Sequence, residues 1–208
     1  MPLSLSKCAE SALLNQPIGS HLILLQRSLG AKSCQLLGHS RKTALLARHL
    51  VEHTGNESIW EVTPDHAFIS GLAHDIGTLY VSDVILQKKE PLTSSDWDTI
   101  KLHPIHSAAH LADTPFSSHA PAALYHHERP DGRGYPFGKK GAELSPEARL
   151  IAFADQLVAL AEDRPYRARL ACEVVYKEVD GLANVYFEGA LRDHIAEEAK
   201  SYTKQFLV

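Results

Sequence analysis

Apolar residues recur along this chain at three- and four-residue spacings, with little of the strict alternation that marks a half-buried strand, so the pattern predicts an all-α protein. From Cys34 to His53 the stripe runs through Leu36, Leu37, Ala44, Ala47, Leu50 and Val51, and Gly55 supplies a C-terminal stop. Upstream, Leu13, Leu14, Leu22, Leu24 and Leu25 surround Pro17 and Gly19, which predicts two short lead-in helices between Ser11 and Leu29. Thr63-Pro64-Asp65 combines an N-cap, a proline at the first helical position and an acid that favours the helix dipole. That helix is predicted to close at Gly77, with His74 and Asp75 in its last turn. Another starts near Thr93 or Ser94, shows Trp97, Ile100 and Leu111 on one face, and is bent at Pro104 beside His103.

A helix from about Ser118 ends in Tyr125-His126-His127-Glu128, and Pro130-Asp131-Gly132 with Gly134 then demand a turn-rich loop. Ser145-Pro146-Glu147 repeats the cap, proline and acid arrangement and opens a helix through Ile151, Ala152, Val158 and Ala159. Two more helices follow, one through Val174, Val175 and Val179 and one through Leu191, Ile195 and Ala199, divided at Gly181. No repeat or linker splits the chain, which reads as a lead-in over 1–33 and one domain over 34–208.

Composition narrows the function. The chain has 208 residues, 44% of them hydrophobic and 22% charged, enough for a single buried core. A net charge of -4 argues against nucleic acid or anionic lipid as the main partner, so neither DNA nor a membrane is expected. Cys8, Cys34 and Cys172 are far apart and form no C-x-x-C pair, which excludes a disulfide framework and a thiolate zinc site and fits the reducing cytoplasm. No window approaches the roughly 18 uninterrupted apolar residues of a membrane span, and the N-terminus lacks a signal peptide's order.

Thirteen histidines are abnormal for this length, and their placement carries the chemistry. Asp155 has apolar or small neighbours three and four positions away, so it faces inward, where an unpaired carboxylate is very costly. His39 shares a helical face with Leu36, Thr43, Leu46 and Leu50; alone it reads as a core histidine. Near helix ends or bends stand His74-Asp75, His103 and His126-His127. Imidazole plus carboxylate without thiolate suits Fe, Mn, Ni, Co or Zn. Together His39, His74, Asp75, His103, His126, His127 and Asp155 are too many for one ion and suit two that share a bridging carboxylate. Two such ions roughly 3.5–4 Å apart are a recurrent device for hydrolysing phosphoesters.

These residues also match a family. His74-Asp75-Ile76-Gly77 resembles the signature of the HD phosphohydrolase superfamily. The run His126-His127-Glu128-Arg129-Pro130-Asp131-Gly132-Arg133-Gly134-Tyr135-Pro136 is similar to the extended motif of its HD-GYP branch. His103-Pro104, Ala154-Asp155 and Arg164-Pro165-Tyr166-Arg167 extend the match over about residues 36 to 170. The resemblance implies an HD-domain-like helical bundle with a binuclear metal site in its core, from bacterial signalling. The activity it implies is hydrolysis of cyclic di-GMP to linear pGpG or onward to GMP. It also implies two divalent ions, Fe or Mn favoured over Zn, Ni or Co. One would be held by His39, His74, Asp75 and Asp155, the other by Asp75 as bridge with His103, His126 and His127, which makes Asp75 and His74 the catalytic pair. Some members hold a third ion through a glutamate where this chain has Gln35, so two are expected.

By the same resemblance Arg164 and Arg167 bind substrate phosphate, a task suited to guanidinium forks. Tyr135 stacks on a base, and the Gly134-Tyr135-Pro136 loop borders the substrate or meets partners such as a diguanylate cyclase. Glu128 reads equally as a surface acid or a hydrogen-bond partner of a ligand imidazole. Two positions depart from the family. Thr78 replaces a lysine, which predicts reduced activity, and Val158 replaces an aspartate, which predicts altered packing rather than metal loss. Rival readings are a weakened signalling adaptor that binds metal or cyclic dinucleotide, and a phosphohydrolase for another nucleotide. Self-association, a homodimer included, stays open. The other histidines, His66 and His119 among them, match no motif and read as surface or core residues.

Overall fold

The computed structural model describes residues 18–54, 59–163 and 168–207, all but one isolated β-bridge of it helical or irregular. The all-α expectation holds, and the caps explain where most elements start. Ser33 accepts from the backbone N–H groups of Gln35 and Leu36 at the head of α2 (Cys34–His53), which follows α1 (Gly19–Lys32). Thr63 caps α3 (Pro64–Ala73), Thr93 caps α5 (Ser94–Ile100) in a capping box with Asp96, and Ser145 caps α8 (Pro146–Leu160). Each hydroxyl satisfies an amide that a helix start leaves unpaired. Between these lie a 3-10 helix (Ile76–Tyr80), α4 (Asp83–Leu86), α6 (His103–Ala112) and α7 (Ala120–Tyr125); α9 (Cys172–Tyr186) and α10 (Gly189–Tyr202) complete the bundle.

Four local readings change. Gly19 does not interrupt the lead-in: α1 is continuous from that residue, while residues 11–17 lie outside those described. The segment around Pro104 is broken rather than bent, since α5 stops at Ile100 and Pro104 stands in the first turn of α6, where its missing N–H costs no helical bond. Gly181 lies inside α9, and the division comes later, at Phe187 and Glu188. The helix expected from Ser118 opens with a 3-10 turn and becomes α-helical at Ala120. The predicted stop at Gly55 lies outside the described residues, though α2 ends two residues before it.

Helix α2 is the hub, packed against α1, α3, α8 and α10. Its Leu46, Ala47, Leu50 and Val51 belong to a core with Trp60, Ile151, Phe153, Val158, Val175, Tyr186 and Ile195. Its Ala44 belongs to a second core, formed by Leu22, Leu25 and Leu29 of α1 with Phe68, Leu72, Ile76, Leu111 and Phe116. Fully burying one such leucine is worth roughly 1.5–3 kcal/mol, so α1 is tied firmly to α2 and α3. Contact between α2 and α3 is close because position 71 is glycine: a Cβ there would fall 2.6 Å from the Cα of Ala44. That approach sets the two helices that carry His39 and His74 side by side, with their rings 5.6 Å apart.

Candidate metal centre

Three helix ends, carrying five of the ligands, and two helix interiors deliver the predicted ligands to one place. His39 is in the middle of α2 and Asp155 in α8; His74 ends α3, His103 begins α6, and His126 ends α7 with His127 next in the chain. The helix predicted to run to Gly77 with His74 and Asp75 in its last turn stops at Ala73 instead, so Asp75 sits on the junction between α3 and the following 3-10 helix. That junction is pressed onto α6. The N–H of Gly77 donates to Ser107 Oγ at 2.8 Å, and a Cβ on Gly77 would lie 2.1 Å from the carbonyl oxygen of His103. Only glycine allows that approach, and through it Asp75 reaches His103.

Two groups result, Asp75 with His103, His126 and His127, and His39 with His74 and Asp155. Asp75 Oδ1 lies 3.0 Å from His103 Nε2 and 3.6 Å from His126 Nε2, while Oδ2 lies 3.5 Å from His74 Nε2. Asp155 Oδ1 lies 2.8 Å from His39 Nε2 and 3.8 Å from His74 Nε2, and Oδ2 lies 3.6 Å from His127 Nδ1. Asp75 thus contacts ligands of both groups through its two oxygens, the position a bridging carboxylate needs.

The hydrogen bonds behind the imidazoles decide what the front atoms can do. His74, His103 and His126 each donate Nδ1–H to the carbonyl three residues earlier, Gly71, Ile100 and Ala123, every one at 2.7 Å. His39 Nδ1 meets Glu162 Oε2 at 2.8 Å, and Lys42 Nζ holds the other oxygen of Glu162 at 2.9 Å. With Nδ1 carrying the proton, each Nε2 presents a lone pair. His103 Nε2 and His126 Nε2 then face each other at 3.1 Å, and His74 Nε2 is buried without a hydrogen-bond partner. Lone pairs converging on carboxylates in a buried site repel one another unless a cation sits among them, so the donor set fits divalent metal.

Electrostatics agree. Burial alone would raise the Asp75 carboxyl, but the surrounding imidazoles of His74, His103 and His126 hold it well below the usual range. Asp155, also buried, is lowered by His39, His127 and His74. Burial and the neighbouring His126 push His127 well down, and burial lowers His126, keeping both imidazoles neutral as ligands must be. Burial would lower His74, but Asp75 and Asp155 together raise it.

The centre opens into a cavity of about 400 Å³. His39, Asp75, His103, His127 and Asp155 line it at the centre, with Thr78, Trp97 and Tyr135 among its other walls. The Tyr135 ring lies 4.7 Å from that of His127 and 5.8 Å from Lys101 Nζ. Trp97, placed by the sequence on the same helical face as Ile100 and Leu111, is 42% exposed and lines this cavity. Thr78 Oγ1 donates to the carbonyl of Asp75, bracing the junction. Val158 is fully buried in the larger core and contacts no ligand by hydrogen bond. Arg164 and Arg167 lie outside the described residues.

Two acids matter that the sequence reading left out or left open. Glu162, which orients His39, was not singled out; its only signal is a position two turns beyond Asp155 along α8 and past its end. Glu128 is neither a surface acid nor a partner of an imidazole. It is fully buried and accepts from the N–H groups of Phe137, Gly138 and Lys139, at 3.1 Å or less, so it folds the loop that carries Tyr135.

Among the described residues no helix is long and apolar enough to cross a membrane. Residues 24–190 match the family model described as the HD domain. A 3'3'-cGAMP-specific phosphodiesterase 1 of Vibrio cholerae is 35% identical over 169 residues, 80% of this chain and 38% of that protein. The cyclic di-GMP phosphodiesterase PA4108 of Pseudomonas aeruginosa is 41% identical over 103 residues, 49% of this chain and 25% of the relative. This chain therefore spans well under half the length of either. The crystal structure of the HD domain of the L. monocytogenes phosphodiesterase PgpH superposes with a TM-score of 0.62 at 16% identity, covering 86% of this chain and 97% of that one, which supports the common fold.

Proposed function

This chain belongs to the HD-domain family, and from that premise we propose that it is a metal-dependent phosphodiesterase of the HD-GYP type that opens a phosphodiester bond of a cyclic dinucleotide. The observation that carries the reading is the pair of carboxylates, Asp75 and Asp155, set among five imidazoles whose lone pairs converge at a cavity. His39, His74, Asp75 and Asp155 would hold one ion, and Asp75, His103, His126 and His127 the second. Divalent ions so held supply Lewis acidity, assisting attack by water at phosphorus and offsetting the charge that grows on the phosphate oxygens. Fe and Mn suit the donor set, with Zn, Ni and Co as further candidates.

The chain's own groups do the rest. Asp75 joins the two halves of the centre, and the Nδ1–H bonds to Gly71, Ile100, Ala123 and Glu162 hold the imidazoles at fixed angles, so little reorganisation is needed. Tyr135 and Trp97 offer aromatic walls on which nucleobases stack. Arg164 and Arg167 contact substrate phosphate. The buried carboxylate of Glu128 shapes the Gly134-Tyr135-Pro136 loop, which edges the cleft and meets partner proteins such as a diguanylate cyclase. The protein works in the cytoplasm.

Cyclic di-GMP is the preferred substrate; the likeness to a 3'3'-cGAMP-specific relative supports the hybrid dinucleotide as the alternative. Purified protein loaded with Mn or Fe(II) is incubated with either dinucleotide and the products separated by chromatography, beside Asp75→Ala. Metal-dependent formation of a linear dinucleotide or of nucleoside monophosphates, lost in the mutant, is expected. Protein carrying two ions per chain that cleaves neither substrate would refute the catalytic reading, leaving the adaptor role; Thr78→Lys, which places a cation beside the cavity, then tests whether turnover is restored.

A further inference from the structure

Three of the helices that reach the metal centre carry a second set of donors at their starts. His66 is in the first turn of α3, two turns before His74; His119 immediately precedes α7, two turns before His126; Glu147 is in the first turn of α8, about two turns before Asp155. Since α3, α7 and α8 pack on one another and run in the same direction, donors eight residues apart on one helix are about 12 Å apart along it. His66, His119 and Glu147 meet, each offering a ligand atom within 4.8 Å of the others.

Several details separate this cluster from ordinary core packing. His66 Nε2 is buried and makes no hydrogen bond, although Glu147 Oε1 is only 3.1 Å away, off the line an N–H bond requires. Rings of His66 and His119 lie 4.1 Å apart, a close approach for two imidazoles. Ser70, one turn along α3 from His66, sits between the other two: its hydroxyl donates to Glu147 Oε1 and contacts His119 Nδ1 at 2.7 Å. Burial and the neighbouring His66 push His119 down to about 3, so its imidazole is neutral at any ordinary pH and needs no deprotonation to coordinate. His119 and Glu147 are at most 9% exposed, whereas the His66 side chain is 26% exposed, which leaves an entry path from solvent.

We propose that His66, His119 and Glu147 form a second metal site, separate from the centre at Asp75, that takes one divalent ion of the nitrogen- and oxygen-loving class, zinc above all. Two imidazoles and one carboxylate are a sufficient donor set for Zn²⁺, with water or the Ser70 hydroxyl completing a tetrahedron. The ion pins the starts of α3, α7 and α8, and so fixes the relative heights of the helices that present His74, His126 and Asp155 about two turns further on. The carboxylates of Asp65 and Glu147 in the first turns of α3 and α8 offset the positive helix ends that would otherwise repel a cation.

The test counts zinc on the full chain, whatever the chain's catalytic activity. Wild type, His66→Ala and Glu147→Gln are equilibrated with Zn²⁺, passed through gel filtration in buffer containing the same Zn²⁺, and analysed for metal per chain. Wild type is expected to hold one zinc more than either variant, and Zn²⁺ should raise its Tm by more than theirs. Equal counts in wild type and in variants that retain the wild-type circular dichroism would overturn the site. Should either variant lose its fold, modification of wild-type histidines by diethyl pyrocarbonate, read by mass spectrometry, decides the matter: Zn²⁺ protects His66 and His119 if the site exists, and leaves their rates unchanged if it does not.

Discussion

Replacing Glu162 by glutamine tests the account of the metal centre at its least obvious residue. Glu162 touches no cavity atom of the reaction; it is 8% exposed, accepts from His39 Nδ1 at 2.8 Å, and is held by Lys42 at 2.9 Å. Burial would raise its carboxyl, but the bonds from His39 and Lys42 keep it low, so it is a carboxylate at neutral pH. An anionic acceptor behind the ring makes Nε2 a stronger donor to a cation and locks the tautomer; the glutamine amide keeps the shape, loses the charge and can rotate its NH₂ towards the ring. Outer partners of this kind are typically worth 10- to 100-fold in metal affinity, or about 1.4–2.7 kcal/mol at about 1.4 kcal/mol per factor of ten. The ion at His39, His74 and Asp155 should weaken by that factor, while the one at His103, His126 and His127 changes far less, because Glu162 contacts none of those residues by hydrogen bond. Competition of Mn²⁺ against a chelator of known affinity, fitted with two binding steps, measures both. Glu162→Ala, which leaves Nδ1–H without its acceptor, should lose at least as much. Two unaltered binding steps in both variants, with the fold intact by circular dichroism, would refute the claim that this acid tunes His39.

Three further outcomes follow from the geometry. Gly77→Ala places a Cβ 2.1 Å from the His103 carbonyl and 2.4 Å from the Ser107 nitrogen, both backbone, so the junction must move away from α6; a loss of about 1–3 kcal/mol in chemical denaturation and release of the second ion are expected, and a wild-type metal count would count against the packing argument. Glu128→Ala removes the acceptor of three backbone N–H groups, so protease cleavage within residues 129–140 should accelerate at least tenfold while the metal count stays at the wild-type value; unchanged proteolysis would show that the loop is held by other means. In metal-free protein His119, at about 3 in the fold against 6.5 in its ordinary state, stays neutral while the unfolded chain takes up a proton, so its contribution is complete above pH 6.5 and is lost as pH falls towards 3. Between pH 6.5 and 5 that amounts to about 2 kcal/mol at about 1.4 kcal/mol per pH unit, and denaturant titrations of His119→Asn beside wild type should show the difference in slope.

Much of the molecule was legible in one dimension because the relevant physics is local. Thr63, Thr93 and Ser145 cap helices within three residues of themselves, and the apolar period of α2 places His39 inward whatever else the chain does. The ligand types and the His74-Asp75 and His126-His127 pairs were readable for the same reason. Where a reading went astray, a neighbour distant in sequence or a competing local option decided it. Pro104 suited a helix start better than a bend, and Gly181 was carried through α9 by the packing of Val175, Val179 and Ala183 on the core. Nothing near Glu162 says that it meets His39, 123 positions away, nor does anything near Glu128 say that its carboxylate faces three amides of its own loop. His66, His119 and Glu147 looked unremarkable one at a time, since none has a partner in its own segment. Local pattern was enough for the all-α class, for most helix starts, for the apolar faces and for the chemistry available. Which lone pairs converge was settled by packing, because convergence depends on the relative height and rotation of helices, and those are set by close contacts such as Gly71 on Ala44 and Gly77 on His103 between residues far apart along the chain.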